Sequence, residues 1–258
     1  MKRIFTILMT AFCLTLSLTG CNSNPVGEET TITLAAAASL KNCMDNELIP
    51  MFEEQYPHIK IQTTYDASGK LQSQIEEGAP IDVFMSAAMK QMDSLKEQGL
   101  MAEDSIAQLL ENKVVLIVPE NNSKDINTFE DILESDSIAI GDPESVPAGQ
   151  YAKEALTNLG IWDKASDKLS LGTNVTEVLN WIAEGSGDAG IVYSTDASSN
   201  PKVKVVCEAP EGTVSKVIYP IGIVKNSQNE EAATNFITFL QTDEAMKIFE
   251  SYGFTPNK

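Results

Sequence analysis

The sequence predicts an α/β protein of two lobes, in which parallel sheets are covered by helices. Strand and helix patterns alternate along almost the whole chain, and such alternation is typical of parallel sheets with helical crossovers. The alternating units form two groups, one over residues 31–112 and one that begins at Val114. The last two helices follow strands that can return to the first group. We therefore expect two lobes joined by crossovers near residues 113 and 195.

Nine segments have the pattern of strands. They are short, apolar or alternating, and bounded by Gly, Pro or polar clusters. Val114–Val118 is strongly β-branched and is closed by Pro119. In chain order the strands are predicted at 31–38, 59–65, 81–85, 114–118, 137–140, 168–171, 189–193, 203–207 and 217–224.

Eight segments have apolar residues at helical spacing. The first helix places Leu40, Met44, Leu48, Met51 and Phe52 on one stripe and ends before Pro57. Glycines end several of the others, as is typical of helix carboxyl ends. The helices are predicted at 40–56, 71–77, 89–98, 129–133, 151–159, 175–184, 230–240 and 243–252.

The first twenty residues have the organisation of a secretory signal peptide. Lys2 and Arg3 form a charged start, and the apolar run Ile4–Leu18 is too short to span a bilayer comfortably. The segment ends in Leu-Thr-Gly-Cys21, which resembles a bacterial lipobox and implies cleavage before Cys21 and lipid on its sulfur. An ordinary signal peptide followed by an incidental cysteine is the alternative. We expect an exported protein, lipid-anchored to the cell membrane and facing the periplasm or the cell exterior.

After removal of this segment, about 230 residues remain, enough for one large domain or two small ones. The expected units are a signal peptide at 1–20, a lipidated tether at 21–30, a first lobe at 31–113 plus 196–258, and a second lobe at 114–195. The sequence has no internal repeat and no low-complexity tract.

The chain is strongly acidic. Its formal net charge is −19, and loss of Lys2 and Arg3 with the signal segment, which contains no acid, makes it −21. Such a surface disfavours nucleic acid and anionic membranes. A local anion site remains compatible with it, because salt screens diffuse charge over about 8 Å. Since Arg3 is the only arginine, an anion site must use other donors.

Cysteine usage indicates no metal chemistry. Cys13 leaves with the signal segment and Cys21 carries the lipid, so Cys43 and Cys207 remain. A disulfide between these two and a pair of buried free thiols are both open. The sequence has no CxxC pair and no Cys/His cluster, so we expect no cofactor and no metal held by side chains.

Four corners of the predicted fold share one design: the carboxyl end of a strand meets the amino end of a helix at small or hydroxyl residues. They are Ala35–Leu40, Asp66–Gly69, Val146–Gly149 and Gly172–Thr176. Ligands of open α/β sheets bind at the carboxyl ends of strands, and bare helix N–H groups bind anions. Ser39 and Ser68 each add a hydroxyl donor. For each corner, plain helix capping is the competing interpretation.

Two of the candidate donors have distinctive surroundings. Within the block Gly141–Leu156, Pro147-Ala148-Gly149 opens an amphipathic helix with small residues that leave N–H groups bare. Tyr193 ends a predicted strand near a crossover, where its phenol can donate to a ligand. A half-buried wedge with its hydroxyl in water is the other interpretation of this tyrosine.

Catalytic interpretations find little support. His58 is the only histidine, and it follows Pro57 in a predicted exposed turn. The sequence has no GxSxG, P-loop or GxGxxG motif. Ser68-Gly69-Lys70 is superficially similar to a Ser–Lys nucleophile pair, but a lysine on a first helical turn is expected to be solvated. We therefore expect a protein that is not an enzyme.

Five segments together resemble the molybdate-binding proteins of ABC importers, in order over about residues 31–255. They are Ala36–Leu40, Gln74–Phe84, Gly141–Leu156, Gly190–Tyr193 and Tyr252–Phe254. The resemblance implies an α/β fold of the two-lobed periplasmic-binding-protein type (type II). Each lobe would be a mixed, mostly parallel sheet flanked by helices, with the anion enclosed between the lobes.

The resemblance also implies which groups hold the anion, and all are uncharged donors. They are the hydroxyls and N–H groups of Ser39 and Ser68, the N–H groups of Ala148 and Val175, and the phenol of Tyr193. Asn42 and Asp142 would support these groups without touching the anion. This chain has Ala88 where the family commonly has an acid, so a helix start or an inter-lobe contact is expected to differ.

The implied function is capture of molybdate, and also tungstate, by a monomer that delivers it to an ABC permease and its ATPase. Nucleic acid is not expected as a partner. A sulfate or phosphate carrier is the alternative, with Asp66 or Asp142 accepting the proton that phosphate retains. An exported enzyme on this scaffold and an adhesion or sensor lipoprotein are further alternatives.

Overall fold

Residues 29–257 are described by a computed structural model, in which they form two sheets with helices on their faces. The predicted signal peptide and the lipidation site Cys21 lie outside the described residues. The strands are β1 (Thr30–Ala37), β2 (Ile59–Asp66), β3 (Val83–Met85), β4 (Ala107–Asn112), β5 (Val114–Pro119), β6 (Ile138–Gly141), β7 (Leu169–Gly172), β8 (Ala189–Tyr193), β9 (Val203–Glu208), β10 (Val217–Ile223) and β11 (Thr255–Pro256). Their order is β11-β4-β10-β3-β1-β2 in the first sheet and β7-β6-β8-β5-β9 in the second.

Both sheets are mixed, and most strands of each run in one direction. In the first sheet β1 is parallel to β2 and β3, whereas β10 is antiparallel to both β3 and β4. In the second sheet β6 is parallel to β7 and β8, whereas β5 is antiparallel to β8 and β9. The carboxyl ends of the parallel strands therefore share one edge of each sheet, and the predicted corners lie at these edges.

The chain passes between the sheets twice. The first passage is at Lys113, the single residue between β4 and β5. The second lies between Glu208 and Val217, because β9 pairs with β5 from Val115 to Pro119. The predicted return near residue 195 is therefore wrong for the strands, and β9 belongs to the second sheet instead of the first lobe. Partner choice between strands is a long-range property, and the strand pattern of β9 does not reveal it.

The helices are α1 (Lys41–Cys43), α2 (Ile49–Gln55), α3 (Ser68–Glu76), α4 (Met89–Glu97), α5 (Pro147–Asn158), α6 (Trp162–Ala165), α7 (Val175–Ala183), α8 (Ser194–Ser198), α9 (Glu230–Leu240) and α10 (Asp243–Ser251). A 3-10 turn at Ala38–Leu40 and a π-turn at Met44–Leu48 join α1 and α2 into one helical segment. Most of its predicted apolar stripe is fully buried, and Met51 is half-buried. The predicted helix at 129–133 is a 3-10 segment, Glu130–Glu134.

Four elements were not predicted: β4, β11, α6 and α8. The strand β4 has the sequence Ala-Gln-Leu-Leu-Glu-Asn, which lacks β-branched and aromatic residues. It forms because β10 and β11 pair with it on either side. Tertiary pairing therefore overrides a weak local preference here.

The apolar core continues through both sheets. Under the first sheet, Phe52 stacks on Tyr56 and packs edge-on against Phe236, which joins α2 to α9. Full burial of one such side chain contributes roughly 1.5–3 kcal/mol. Within residues 29–257, no helix combines the length and the apolar character that crossing a membrane requires.

Candidate anion site between the sheets

The predicted anion contacts meet around one hollow between the two sheets. The ends of β1, β2 and β8 and the starts of α3, α5 and α7 form its wall. Its lining residues are Ala37, Ala38, Ser39, Asp66, Ala67, Ser68, Ala87, Val146, Pro147, Ala148, Val175 and Tyr193. Ser39, Ser68, Ala148, Val175 and Tyr193 are thus brought together, as the sequence predicts.

Ser39 does not cap a helix. It lies in the 3-10 turn after β1, and no side-chain hydrogen bond caps that turn or α1. Its hydroxyl lies instead 2.9 Å from the phenol oxygen of Tyr219 on β10, a strand that β3 separates from β1 in the sheet. Plain capping is therefore the wrong interpretation of this corner.

Ser68 does not cap a helix either. It is the first residue of α3, is 1 % exposed, and follows Ala67, which has extended backbone. Its hydroxyl accepts a hydrogen bond from the N–H of Ala87 at 3.0 Å. The hydroxyl proton is thus free of that bond and can be donated into the hollow.

The start of α5 is pressed against the end of β6. A Cβ at Gly149 would overlap the carbonyl group of Gly141, so only glycine fits there. Because Pro147 has no N–H, the first bare N–H groups of α5 belong to Ala148 and Gly149. Ala148 is 2 % exposed and lines the hollow, which places its N–H at a helix start suited to anions.

The α7 corner is capped, and it still contributes to the hollow. The Asn174 side chain accepts from the N–H of Glu177 at 3.0 Å, and the Glu177 carboxylate accepts from the N–H of Thr173 at 2.6 Å. The bonds from Thr173 lower the pKa of Glu177. Val175, the first residue of α7, is buried and lines the hollow with its N–H outside this capping arrangement.

Tyr193 is buried, so the interpretation of it as a half-buried wedge is wrong. It is 1 % exposed, and its hydroxyl points toward the carbonyl oxygen of Ala87 at 3.4 Å. Its ring packs edge-on against Tyr151 and Tyr219. Burial raises the pKa of Tyr193 and that of Tyr219 well above the usual range, so both phenols stay protonated at physiological pH.

Among the described residues, no lysine, arginine or histidine lines the hollow. Asp66 is its one charged lining residue, and the Lys70 ammonium lies 3.2 Å from the Asp66 carboxylate. That carboxylate also accepts from the N–H of Ala67 at 2.8 Å. Lys70 is thus engaged with Asp66, and the hollow offers hydrogen-bond donors that carry no charge.

Asn42 and Asp142 lie outside the hollow. Asn42 is exposed and lines an adjoining cavity that it shares with Ser39 and Asp196. Asp142 shapes the turn before α5, since its carboxylate accepts from the N–H of Glu144 and its carbonyl accepts from the N–H of Val146. Support by Asn42 and Asp142 stays a prediction, and neither lines the hollow.

Sequence reasoning missed Ala87, Asn112 and Tyr219. The backbone of Ala87 links Ser68 of one lobe to Tyr193 of the other. Its position just after β3, at the carboxyl end of a parallel strand, is a signal that could have identified it. Asn112 and Tyr219 are buried and bonded to each other at 3.2 Å, but they lie 107 positions apart, and no local pattern marks them.

The lobes are closed on each other around the hollow. The N–H of Gly69 in α3 donates to the carbonyl of Ser145, before α5, at 3.0 Å. The side-chain amides of Gln91 in α4 and Gln150 in α5 meet at 3.2 Å. The α4 helix begins after Ala88 without a side-chain cap, as expected where an acid is replaced by alanine.

Residues 29–257 contain no group of three or more His, Cys, Asp or Glu side chains that could hold a metal ion. Cys43 is buried and Cys207 half-buried, and both are free thiols, so the alternative of a disulfide is wrong.

Comparison with known proteins agrees with this geometry. The family model described as bacterial extracellular solute-binding protein matches residues 32–255. The chain is 43 % identical over 256 residues to YvgL of Bacillus subtilis, named as a candidate ABC transporter substrate-binding lipoprotein, covering 98 % of this chain and 97 % of that protein. It is 38 % identical over 229 residues to the molybdate-binding protein ModA of Haemophilus influenzae, covering 87 % and 89 % of the two chains.

Among solved structures, the substrate binding domain of a candidate molybdenum ABC transporter from Clostridium difficile has a TM-score of 0.69 and 40 % identity. The match covers 89 % of this chain and 100 % of that one. The predicted two-lobed periplasmic-binding-protein fold and the resemblance to binding proteins of ABC importers are both confirmed. Two of these relatives are named as substrate-binding parts of ABC transporters and one as a molybdate-binding protein, and none of these names describes an enzyme. The chain belongs to the bacterial extracellular solute-binding proteins.

Proposed function

We propose that this protein captures molybdate, and also tungstate, between its two lobes and delivers it to an ABC permease and its ATPase. One observation carries the proposal: uncharged donors from both lobes converge on a single hollow whose described lining holds no cationic side chain. In this role Ser39, Ser68 and Tyr193 give hydroxyl donors, and Ala148 and Val175 give N–H groups at helix starts. The relatives named for molybdate or molybdenum transport support the choice of anion.

The donor set suits an oxyanion that has lost all its protons. Hydrogen bonds to a charged acceptor are roughly twice as strong as neutral ones. A dianion therefore strengthens the hydrogen bond that each donor of the hollow makes. A protonated oxyanion needs an acceptor for its proton as well. Asp66 is the one carboxylate in the lining, and its Oδ1 accepts from both Ala67 and Lys70. Asp142 does not line the hollow, so of the two proposed proton acceptors for phosphate only Asp66 remains.

Capture proceeds by closure. The donors lie on both lobes, so an anion can complete its hydrogen bonds only when the lobes come together. The bond from Gly69 to Ser145 and the contact between Gln91 and Gln150 form in the same closed state. The anion therefore stabilises the closed state, and release requires reopening on the permease.

A surface groove of the first lobe suits an anion less well. The groove beside α9 is lined by the acids Glu103, Asp104 and Glu230 against one lysine, Lys225, and this excess of carboxylates disfavours a dianion. The cleft hollow is therefore the site we assign to the oxyanion. We expect no cofactor, because the proposed role needs only hydrogen bonding and domain closure.

Anchoring and assembly belong to the same proposal. We infer that cleavage before Cys21 and acylation of its sulfur attach the protein to the cell membrane, since a relative of 43 % identity is named a lipoprotein. The tether to the first strand is short, which keeps the cleft near the permease. We expect the protein to act as a monomer, because both lobes that close on the anion come from one chain.

Titration calorimetry of the mature protein with molybdate, tungstate, sulfate and phosphate tests the proposal. We expect dissociation constants below about 1 μM for molybdate and tungstate, and far weaker binding of the other two. Tight sulfate binding with weak molybdate binding would shift the assignment to a sulfate carrier. Tight phosphate binding would require Asp66 to serve as a proton acceptor and would refute the donor-only site.

A further inference from the structure

We propose that Asn112 and Tyr219 form a relay of hydrogen bonds that fixes the Ser39 hydroxyl as a donor, and that this relay selects fully deprotonated oxyanions. The inference rests on the proposed function, because it assigns Ser39 to the anion site. Asn112 and Tyr219 are positioning residues, since neither lines the hollow. Their contacts define the direction of the relay in three steps.

The first step fixes the orientation of the Asn112 side chain. Its Oδ1 accepts from the backbone N–H of Lys113 at 2.8 Å and from the Ser194 hydroxyl at 3.0 Å. A backbone N–H can only donate, so the oxygen of the amide must face it. The NH₂ group of Asn112 therefore faces the other way, toward Thr195 at 2.9 Å and Tyr219 at 3.2 Å.

The second step fixes the direction of the Tyr219 hydroxyl. Because Asn112 donates to it, the phenol oxygen is an acceptor on that side. On its other side the Ser39 hydroxyl lies 2.9 Å away, and the Tyr193 phenol also approaches, with its own proton directed at the carbonyl oxygen of Ala87. The Ser39 oxygen is the acceptor that lies at hydrogen-bond distance in good geometry. Tyr219 is fully buried, and a buried O–H without an acceptor costs roughly 1–3 kcal/mol. Tyr219 therefore donates its single proton to Ser39.

The third step follows from the count of protons. Ser39 Oγ accepts from Tyr219, so its own proton must point elsewhere, and Ser39 lines the hollow. The aromatic rings of Tyr193 and Phe254 pack edge-on against Tyr219 and hold it in place. Burial keeps the Tyr219 hydroxyl protonated at physiological pH because it raises the pKa of this phenol. The Ser39 hydroxyl is thus presented to the anion as a fixed donor.

A fixed donor discriminates by protonation state. A serine hydroxyl that is free to rotate accepts the proton of a monohydrogen oxyanion readily. In this relay Tyr219 occupies one lone pair of Ser39 Oγ, so Ser39 could accept such a proton only by turning its own proton away from the anion. Molybdate and sulfate carry no proton, so a fixed donor at Ser39 does not weaken their binding. Phosphate, which keeps one proton as a dianion near about pH 8, meets a donor where it needs an acceptor.

Asn112→Asp reverses the relay with little change of shape. The new carboxylate accepts only, so Tyr219 would donate its proton to this carboxylate and would in turn accept from Ser39. Ser39 would then present a lone pair to the anion. The added negative charge lowers the affinity for every dianion alike. The informative quantity is therefore the ratio of molybdate or sulfate affinity to phosphate affinity at about pH 8. We expect that ratio to fall at least about tenfold.

Tyr219→Phe is the second variant, and it adds no charge. It frees the Ser39 hydroxyl, and we expect the same ratio to fall by several fold, with weaker molybdate binding. Tyr151→Phe is the matched control: this buried tyrosine belongs to the same aromatic cluster, but its hydroxyl is outside the relay. It should leave the ratio unchanged.

The outcomes separate the relay from the function on which it depends. If the wild-type protein binds none of these dianions, the proposed function fails and the relay fails with it. A second outcome is that the wild-type protein binds molybdate, but both variants lower the affinities for molybdate, sulfate and phosphate by one common factor. In that case Asn112 and Tyr219 act on the fold alone. That result would overturn the relay and leave the proposed function intact.

Discussion

The backbone N–H of Gly69 donates to the carbonyl oxygen of Ser145 at 3.0 Å, and this bond joins the two lobes. Gly69 is the second residue of α3, directly after Ser68, which lines the hollow. A Cβ at position 69 would overlap the Ser145 carbonyl group. Glycine is therefore required here by close approach of two backbones, and this approach accompanies closure of the site.

Replacement of Gly69 by alanine should impair closure of the lobes without impairing folding of the anion-free protein. Alanine favours the α3 helix by about 1 kcal/mol over glycine, so the anion-free protein should be at least as stable. The added methyl group collides with Ser145 only when the lobes close, so we expect molybdate affinity to fall about 100-fold or more. Thermal unfolding without anion and calorimetry with molybdate measure the two effects.

Ser73→Ala is the control for this variant, because Ser73 is exposed and lies one turn later on α3. It should change neither quantity by much. A Gly69→Ala protein that binds molybdate as tightly as the wild type would show that this close approach is unnecessary for capture.

The Ser68 hydroxyl supports both the fold and the site. It is buried and accepts from the N–H of Ala87, so Ser68→Ala leaves that N–H without its partner. We expect the free energy of unfolding to fall by about 1–3 kcal/mol even without anion. Molybdate affinity should fall as well, because a donor is lost. Urea unfolding without molybdate measures the loss of stability, and unfolding with molybdate measures the loss of binding. Unchanged anion-free stability would contradict the assigned bond between Ser68 and Ala87.

Local signals and the family resemblance together were sufficient to predict five of the residues that line the hollow, but not Ala87, which also lines it. Small and hydroxyl residues at strand ends mark Ser39 and Ser68, and Pro147 followed by Ala148 marks a helix start with bare N–H groups. The same local signals could not distinguish a cap from a ligand group. At Asn174 the side chain does cap its helix, whereas at Ser39 and Ser68 the hydroxyls bond to other segments.

What the sequence could not predict depends on pairing between distant segments. Ser39 and Tyr219 lie 180 positions apart, and they meet because β10 enters the first sheet antiparallel to β3. The return of the chain after β9 instead of near residue 195 has the same cause. Strand partners follow from the packing of the whole sheet, which no local period encodes.

The two cysteines of the described chain should differ in reactivity. Cys43 is 1 % exposed, its thiol donates to the carbonyl of Leu40 at 3.1 Å, and burial raises its pKa to about 12. Cys207 is half-buried on β9, and its partial burial also raises its pKa. Because the thiolate is the reactive form, a disulfide reagent at about pH 8 should label Cys207 slowly and Cys43 only after unfolding. Mass spectrometry of the labelled peptides identifies which thiol reacted, and rapid labelling of Cys43 would contradict its burial.

Asp196 is a buried carboxyl group without a counter-ion among the described residues. It is 6 % exposed, and one carboxylate oxygen has no hydrogen-bond partner in the described part of the chain. It lines the cavity beside the anion site together with Lys41, but Lys41 is paired with Asp45 at 2.6 Å. Burial raises the pKa of Asp196 to about 7.

The direction of the resulting pH dependence follows from this shift. An aspartate of the unfolded chain has a pKa of about 3.9, so between about pH 4 and pH 7 the folded protein holds a proton that the unfolded chain has lost. The contribution of Asp196 to stability therefore falls as the pH rises through this window, by up to about 4 kcal/mol. Asp196→Asn removes the charge, so its stability gain over the wild type should be near zero at about pH 4 and largest above about pH 7.

Urea unfolding of the wild type and of Asp196→Asn across this pH range measures the difference in their free energies of unfolding. Asp131→Asn is the control, and its effect on stability should have the opposite sign. The N–H groups of Asn127 and Thr128 donate to the Asp131 carboxylate and hold its pKa below the usual range. The stability that Asp131 contributes is present above the unfolded pKa and is lost as the pH falls, so Asp131→Asn should cost stability at neutral pH. A gain for Asp196→Asn that is the same at about pH 4 and about pH 8 would show that the substitution acts through packing, because a titrating carboxyl group cannot produce a pH-independent difference.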